Sequence, residues 1–224
     1  MQKKILVVAP HADDEVIGCG GTLLKEIERG AKVGWLIMTK VSLETGYTAD
    51  FVAHREHQIA EVKKFFNIDY FRNLNFGPSS LDFVARSDII SNISKVFREF
   101  QPTDIFMPYP GDAHSDHNIV FECLRPFLKA FRYPSLKRAY CYETISETDQ
   151  NFTTGITAFK PNSFVNITEF MELKLKAANI YDTEFSNHPF PRSLANLQAI
   201  ALHRGGSSNY TYAEAFMCIL SRED

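Results

Sequence analysis

Apolar positions recur along this chain in two rhythms. Short unbroken runs, Ile5-Leu6-Val7-Val8, residues 33–38 and Ile105-Phe106-Met107, read as strands covered on both faces. Between them the spacing is helical. Val16, Ile17, Leu23, Leu24 and Ile27 predict a helix over residues 14–29 with Gly30 as its C′ cap. Gly18, Gly20 and Gly21 interrupt that helix and point to close packing. A loop over 41–53 precedes an expected helix over 54–66, which carries Ile59, Val62, Phe65 and Phe66. Tyr70-Phe71 reads as a short strand, and a helix capped by Ser79-Ser80 runs to about Phe100, where Pro102 breaks the pattern. A helix over 118–131, bent at Pro126, and a strand over 140–143 follow.

After about residue 145 the rhythm changes. β-like runs at 153–159 and 164–167, a helix over 168–181, a kinked linker at 187–191, a helix over 193–203 ending at Gly205-Gly206, and a closing strand over 215–220 are expected. The earlier alternation of strand and helix predicts the α/β class, as a single three-layer α/β/α domain with a Rossmann-like, mostly parallel sheet over residues 1–224. Residues 1–145 form its βα core, and 146–224 its substrate walls and closing elements. A length of 224 residues suits one such domain.

Two polar clusters stand directly behind two of the strands. Pro10 stops the first strand, and His11, Asp13, Asp14 and Glu15 follow it; Pro108 stops the third, and His114, Asp116 and His117 come after that. Sites in open α/β sheets are built at such carboxyl ends. A hydrolytic divalent metal takes about three protein ligands from His and carboxylates and keeps a further position for water. His11 and Asp14 can supply two ligands, and the second cluster offers the third. Asp13, pointing elsewhere if the backbone turns, suits a general base. The first strand lacks the G-x-G-x-x-G that a dinucleotide site needs, and Thr39-Lys40 stands where an acidic residue would end the second.

Composition narrows the partners. A net charge of −3 with scattered Lys and Arg argues against nucleic-acid or anionic-membrane binding. No stretch approaches the roughly 20 apolar residues of a membrane helix and no cleavable leader is visible, so a cytoplasmic protein is expected. The four cysteines, Cys19, Cys123, Cys141 and Cys218, follow no framework spacing and read as reduced thiols. A homo-oligomer is compatible with all of this.

Pro10 to Glu15, PHADDE, and His114 to His117, HSDH, resemble the paired signatures of the LmbE-like, or PIG-L, family of metal-dependent N-acetylglucosaminyl deacetylases. Arg204-Gly205-Gly206 followed by Tyr212 to Phe216, YAEAF, is similar to the family's C-terminal segment. The resemblance implies the LmbE-like deacetylase fold and a small N-acetylated sugar or glycoconjugate as substrate. It implies one metal on His11, Asp14 and His117, expected to be zinc, although the donor set also suits Fe2+. Asp13 would accept a proton from the bound water, a protonated His114 would stabilise the oxyanion and protonate the amine, and Asp116 would hydrogen-bond an imidazole. Arg55 resembles a sugar-contacting residue. The chain departs from the pattern at Gln58, where the family tends to place Glu, and at Asp112, where some members have Tyr. Two other readings compete: a glycosyltransferase with a metal on Asp13-Asp14, which leaves His114 and His117 idle, and a sugar-binding protein on the same fold.

Overall fold

A computed structural model describes residues 2–152 and 158–223. Seven strands form one sheet in the order β3-β2-β1-β4-β5-β7-β6. They are β1 (Lys4–Ala9), β2 (Lys32–Thr39), β3 (Tyr70–Phe76), β4 (Asp104–Pro108), β5 (Arg138–Tyr142), β6 (Ser163–Asn166) and β7 (Ala213–Ser221). β1 to β5 pair in parallel, whereas β7 lies antiparallel between β5 and β6. The sheet is therefore mostly parallel, as the apolar runs predict.

Helices cover both faces because the central strand is apolar on both. Ile5 and Val7 of β1 enter one core with Trp35, Val16 and Leu23; Leu6 and Val8 enter the other with Ile89, Ile93 and Val120. The helices α1 (Asp14–Glu28), α2 (Ala49–Phe65), α5 (Met171–Ala178) and α6 (Leu194–Ser208) supply residues to the first, and α3 (Arg86–Phe100) and α4 (Ser115–Leu124) to the second. No helix among the described residues is long and apolar enough to cross a membrane.

α1 is where packing shapes the site. Its backbone leaves helical geometry at Cys19, with φ −145°. The amides of Gly21 and Thr22 donate instead to the two carboxylate oxygens of Glu214, at 2.8 and 2.7 Å. Lys174 closes this buried clamp, its Nζ lying 2.6 Å from Glu214 Oε1 and 2.8 Å from the Ile17 carbonyl. One turn earlier, a Cβ on Gly18 would meet Tyr142 Cδ2 at 2.3 Å. The tight approach expected from the glycines is thus a contact with β5. We expect Gly18→Ala to lower stability by about 1–3 kcal/mol, read as a lower urea midpoint with an unchanged slope.

Several boundaries differ from expectation. α2 begins at Ala49 rather than residue 54, because Thr48 Oγ1 accepts the Phe51 amide at 3.2 Å and caps it. Ser79-Ser80 does not cap α3, which starts at Arg86; Ser79 has φ 53° and turns toward the site. α4 stops at Leu124 and continues only as a 3-10 turn over Arg125–Leu128, since Pro126 lacks the amide that would extend it. α6 runs through Gly205-Gly206 to Ser208, because a bare Gly205 admits the Tyr210 and Thr211 carbonyl oxygens, 2.6 Å from where a Cβ would sit. The expected helix over 168–181 is a 3-10 turn followed by the shorter α5. The β-like run expected over 153–159 lies mostly outside the described residues.

Candidate active site

β1 sends its connection to β2 on one side, while its other neighbour is β4, so the strand order reverses between β1 and β4. The two polar clusters follow those two strands and meet at their carboxyl ends, where open α/β sheets form ligand crevices.

Asp14 lies at the centre. Its Oδ2 accepts the His11 amide at 2.8 Å and stands 3.5 Å from His11 Nδ1 and 3.4 Å from His117 Nε2. Asp14 Oδ1 and His117 Nε2 are buried and have no hydrogen-bond partner. The far nitrogen of each imidazole is held by a carboxylate: His11 Nε2 by Asp116 Oδ2 at 3.0 Å, and His117 Nδ1 by Asp112 Oδ2 at 2.8 Å. A carboxylate on the distal nitrogen is the arrangement that orients metal-binding histidines. His11, Asp14 and His117 bring one donor atom each within 4.8 Å of one another, and so do His11, His114 and Asp116.

The electrostatics favour a cation here. Burial opposes charge on both rings. For His11 the Asp116 and Asp14 carboxylates outweigh it and lift the ring to about 9. For His117, Asp14 and Asp112 lift it to about 10. Burial alone would raise Asp14, but His117 and His11 hold its carboxyl well below the usual range. Three close donors, with His117 Nε2 and the second Asp14 oxygen buried without partners, fit a divalent metal.

Asp13 occupies a different corner. Its backbone sits at φ 148°, a region that side chains rarely adopt and that costs about 1–3 kcal/mol. The turn is held by Arg192 Nη1 on Asp13 Oδ2 at 2.6 Å, by the Asp13 amide on Glu15 Oε2 at 3.2 Å, and by the Val16 and Ile17 amides on the Asp13 carbonyl. Asp13 Oδ1 is buried and unpartnered. Burial lifts this carboxyl to about 7 against the pull of Arg192. Glu15 is also buried and pushed up to about 8, while its Oε1 accepts from Tyr181 at 2.7 Å. Its visible role is to hold the turn.

His114 precedes α4, and its Nδ1 accepts the Asp116 amide at 3.1 Å, which leaves the proton of the neutral ring on Nε2. Burial and the nearby His11 push His114 below the ordinary imidazole range, against the expected cationic ring. Asp116 pairs with an imidazole, that of His11; the amides of Ser79 and Leu81 fix its carboxylate at 2.7 and 3.1 Å. Arg55 is buried, donates to the Ala12 carbonyl at 2.8 Å and to Thr183 at 2.9 Å, and pairs with Glu184. A cavity of about 580 Å³ opens onto His11, Asp13, His114, Arg55 and Arg192.

Sequence reasoning missed Arg192, Glu184, Tyr181 and the use of Asp112. Arg192 and Glu184 come from irregular segments with no periodic pattern. Asp112 had a visible signal, a carboxylate five residues before His117. We expect Asp112→Asn to weaken metal binding about 10- to 100-fold, measured by competition with a chelator of known affinity.

The similarities to other proteins agree with this geometry. The chain is 29% identical over 226 residues to the diacetylchitobiose deacetylase of Thermococcus kodakarensis, covering 95% of this chain and 81% of that one. It is 24% identical over 193 residues to the Bacillus cereus protein named "Probable N-acetyl-alpha-D-glucosaminyl L-malate deacetylase 2", covering 82% and 84%. Its fold superposes on the N,N'-diacetylchitobiose deacetylase of Pyrococcus horikoshii, solved with its inhibitor MPG. That match has TM-score 0.80 and 25% identity over 97% of this chain and 84% of the other. Residues 6–128, which carry β1 to α4 and both clusters, match the family described as PIG-L, GlcNAc-PI de-N-acetylase, and to that family this chain belongs.

Proposed function

We propose that this chain is a zinc-dependent hydrolase that removes the acetyl group from an N-acetylglucosamine-type sugar or glycoconjugate. One observation carries the reading: His11 Nδ1 and the buried His117 Nε2, which has no hydrogen-bond partner, stand 3.5 and 3.4 Å from Asp14 Oδ2, with a carboxylate on the far nitrogen of each ring. The acetamido-sugar deacetylases among its relatives support the substrate class. Zinc is the metal we assign to His11, Asp14 and His117, because a hydrolysis needs no redox change.

Bound there, the metal would supply Lewis acidity and lower the pKa of a coordinated water to about 7. Asp13 is the general base. Its Oδ1 is free to accept a proton while Arg192 fixes Oδ2, and a carboxyl near 7 can both take that proton and return it to the departing amine. His114 lines the cavity as a neutral ring, and its Nε2–H suits the acetamide oxygen as negative charge grows there. Asp116 and Asp112 are positioning residues that orient His11 and His117. Arg55 belongs to the substrate wall, where it holds the Ala12 carbonyl and Glu184 at the cavity lining.

Acetate release from N-acetylglucosamine, its methyl β-glycoside and N,N'-diacetylchitobiose by zinc-loaded protein tests the reading. Release from at least one supports it. None from any of them, with metal bound, counts against it.

A further inference from the structure

A buried ion pair is inserted into α1 just behind Asp14. In a regular α-helix the Gly21 amide donates to the Ile17 carbonyl. Here Cys19 leaves helical geometry between them, and side chains join the two groups instead. Lys174 Nζ lies 2.8 Å from the Ile17 carbonyl and 2.6 Å from Glu214 Oε1, which accepts the Gly21 amide at 2.8 Å. Glu214 Oε2 takes the Thr22 amide at 2.7 Å. Lys174 and Glu214 are both buried, and neither lines the cavity at the site.

The break divides α1 into two pieces that pack on different elements. The first, residues 14–18, meets β5, where a Cβ on Gly18 would stand 2.3 Å from Tyr142 Cδ2; the second meets Ile167, 2.9 Å from where a Cβ on Gly21 would sit. The first piece is the turn that carries the site. It begins at Asp14, whose Oδ2 accepts the His11 amide, and its Val16 and Ile17 amides hold the Asp13 carbonyl. A single turn is not stable by itself, because its ends lack intrahelical partners. Stability alone does not account for the ion pair either, since apolar side chains of the same volume are often as stabilising when buried. What the pair supplies is a fixed direction: it grips α1 on both sides of the break, from anchors on α5 and β7.

We propose that Glu214 and Lys174 are positioning residues, an ion pair that sets the first turn of α1 and through it the placing of the ligand Asp14 and the base Asp13. The proposal rests on the deacetylase reading for what those two carboxylates do, and on the geometry of α1 for how they are held.

Glu214→Gln combined with Lys174→Met removes both charges together, so no uncompensated charge stays buried, yet no ammonium joins Ile17 to position 214. Ile93→Ala, a truncation in the core on the other face of the sheet, is the control for stability loss alone. Three quantities are compared with the native protein below the melting temperature of each variant. They are zinc affinity by chelator competition, kcat and KM for acetate release, and hydrogen exchange of the Val16 and Ile17 amides in metal-free protein. A displaced turn costs about 10- to 100-fold. The double variant should therefore bind zinc at least about tenfold more weakly, lose at least about tenfold in kcat with little change in KM, and exchange those amides at least about tenfold faster. Ile93→Ala, distant from the turn, should keep zinc affinity and kcat within about twofold of native. Should the native protein release no acetate, the deacetylase reading alone falls, and zinc affinity and amide exchange decide the proposal. A folded double variant with native zinc affinity or native exchange at these amides overturns it, as do equal losses in Ile93→Ala. Glu214→Gln alone, which keeps an oxygen for one of the two α1 amides, carries the same comparison if the double variant does not fold.

Discussion

Asp13→Asn lowers acetate release by about 10²–10⁴-fold, the range of a positioned general base, while the metal content of the protein is unchanged. Asn has nearly the same shape, and its carbonyl oxygen can still accept from Arg192, so the turn at φ 148° keeps its main restraint. What it loses is the ability to accept a proton at the position of Oδ1, which is buried and unpartnered in the native chain. Arg192 retains Glu147 at 3.2 Å and Glu184 at 3.6 Å, which limits the cost of an uncompensated cation. The loss should therefore appear in kcat with little change in KM. A variant with near-normal turnover would exclude Asp13 as the base.

His117→Ala abolishes both stoichiometric metal binding and turnover. His117 is fully buried between Asp14 and Asp112, so its removal deletes a donor and leaves two carboxylates facing a gap. Metal stabilises a native site by RT ln(1 + [L]/Kd), about 4.1 kcal/mol at a thousandfold excess over Kd. The native protein should accordingly melt higher with zinc and lower with a chelator. The variant's melting temperature should respond to neither. Elemental analysis that finds full metal in His117→Ala would remove this residue from the ligand set.

Much of this was legible because the signals were short-range or periodic. Apolar runs marked β1, β2 and β4, and the first and last of these ended at a proline followed by imidazole and carboxylate. The pair His11 and Asp14 needed only the turn between them. Their meeting with His117 needed β1 and β4 to be neighbours, which parallel βα alternation makes natural. Arg192 was not legible: it reaches Asp13 across 179 positions from a proline-rich linker with no periodicity. The same holds for Tyr181 on Glu15 and for the Ser79 amide on Asp116, which reversed the expectation that Ser79 caps a helix. Asp116 was read correctly as a partner for an imidazole, but only the fold could decide which. Gly205-Gly206 illustrates the opposite error, since a pattern that usually stops a helix here admits a returning loop.

The most direct test is to titrate zinc into metal-free protein while following acetate release from a hydrolysed N-acetylglucosamine derivative and melting temperature together. A single site on His11, Asp14 and His117 predicts that both rise in parallel and level off at one equivalent per chain. Acetate release that is independent of metal, or that first appears beyond one equivalent, would contradict it.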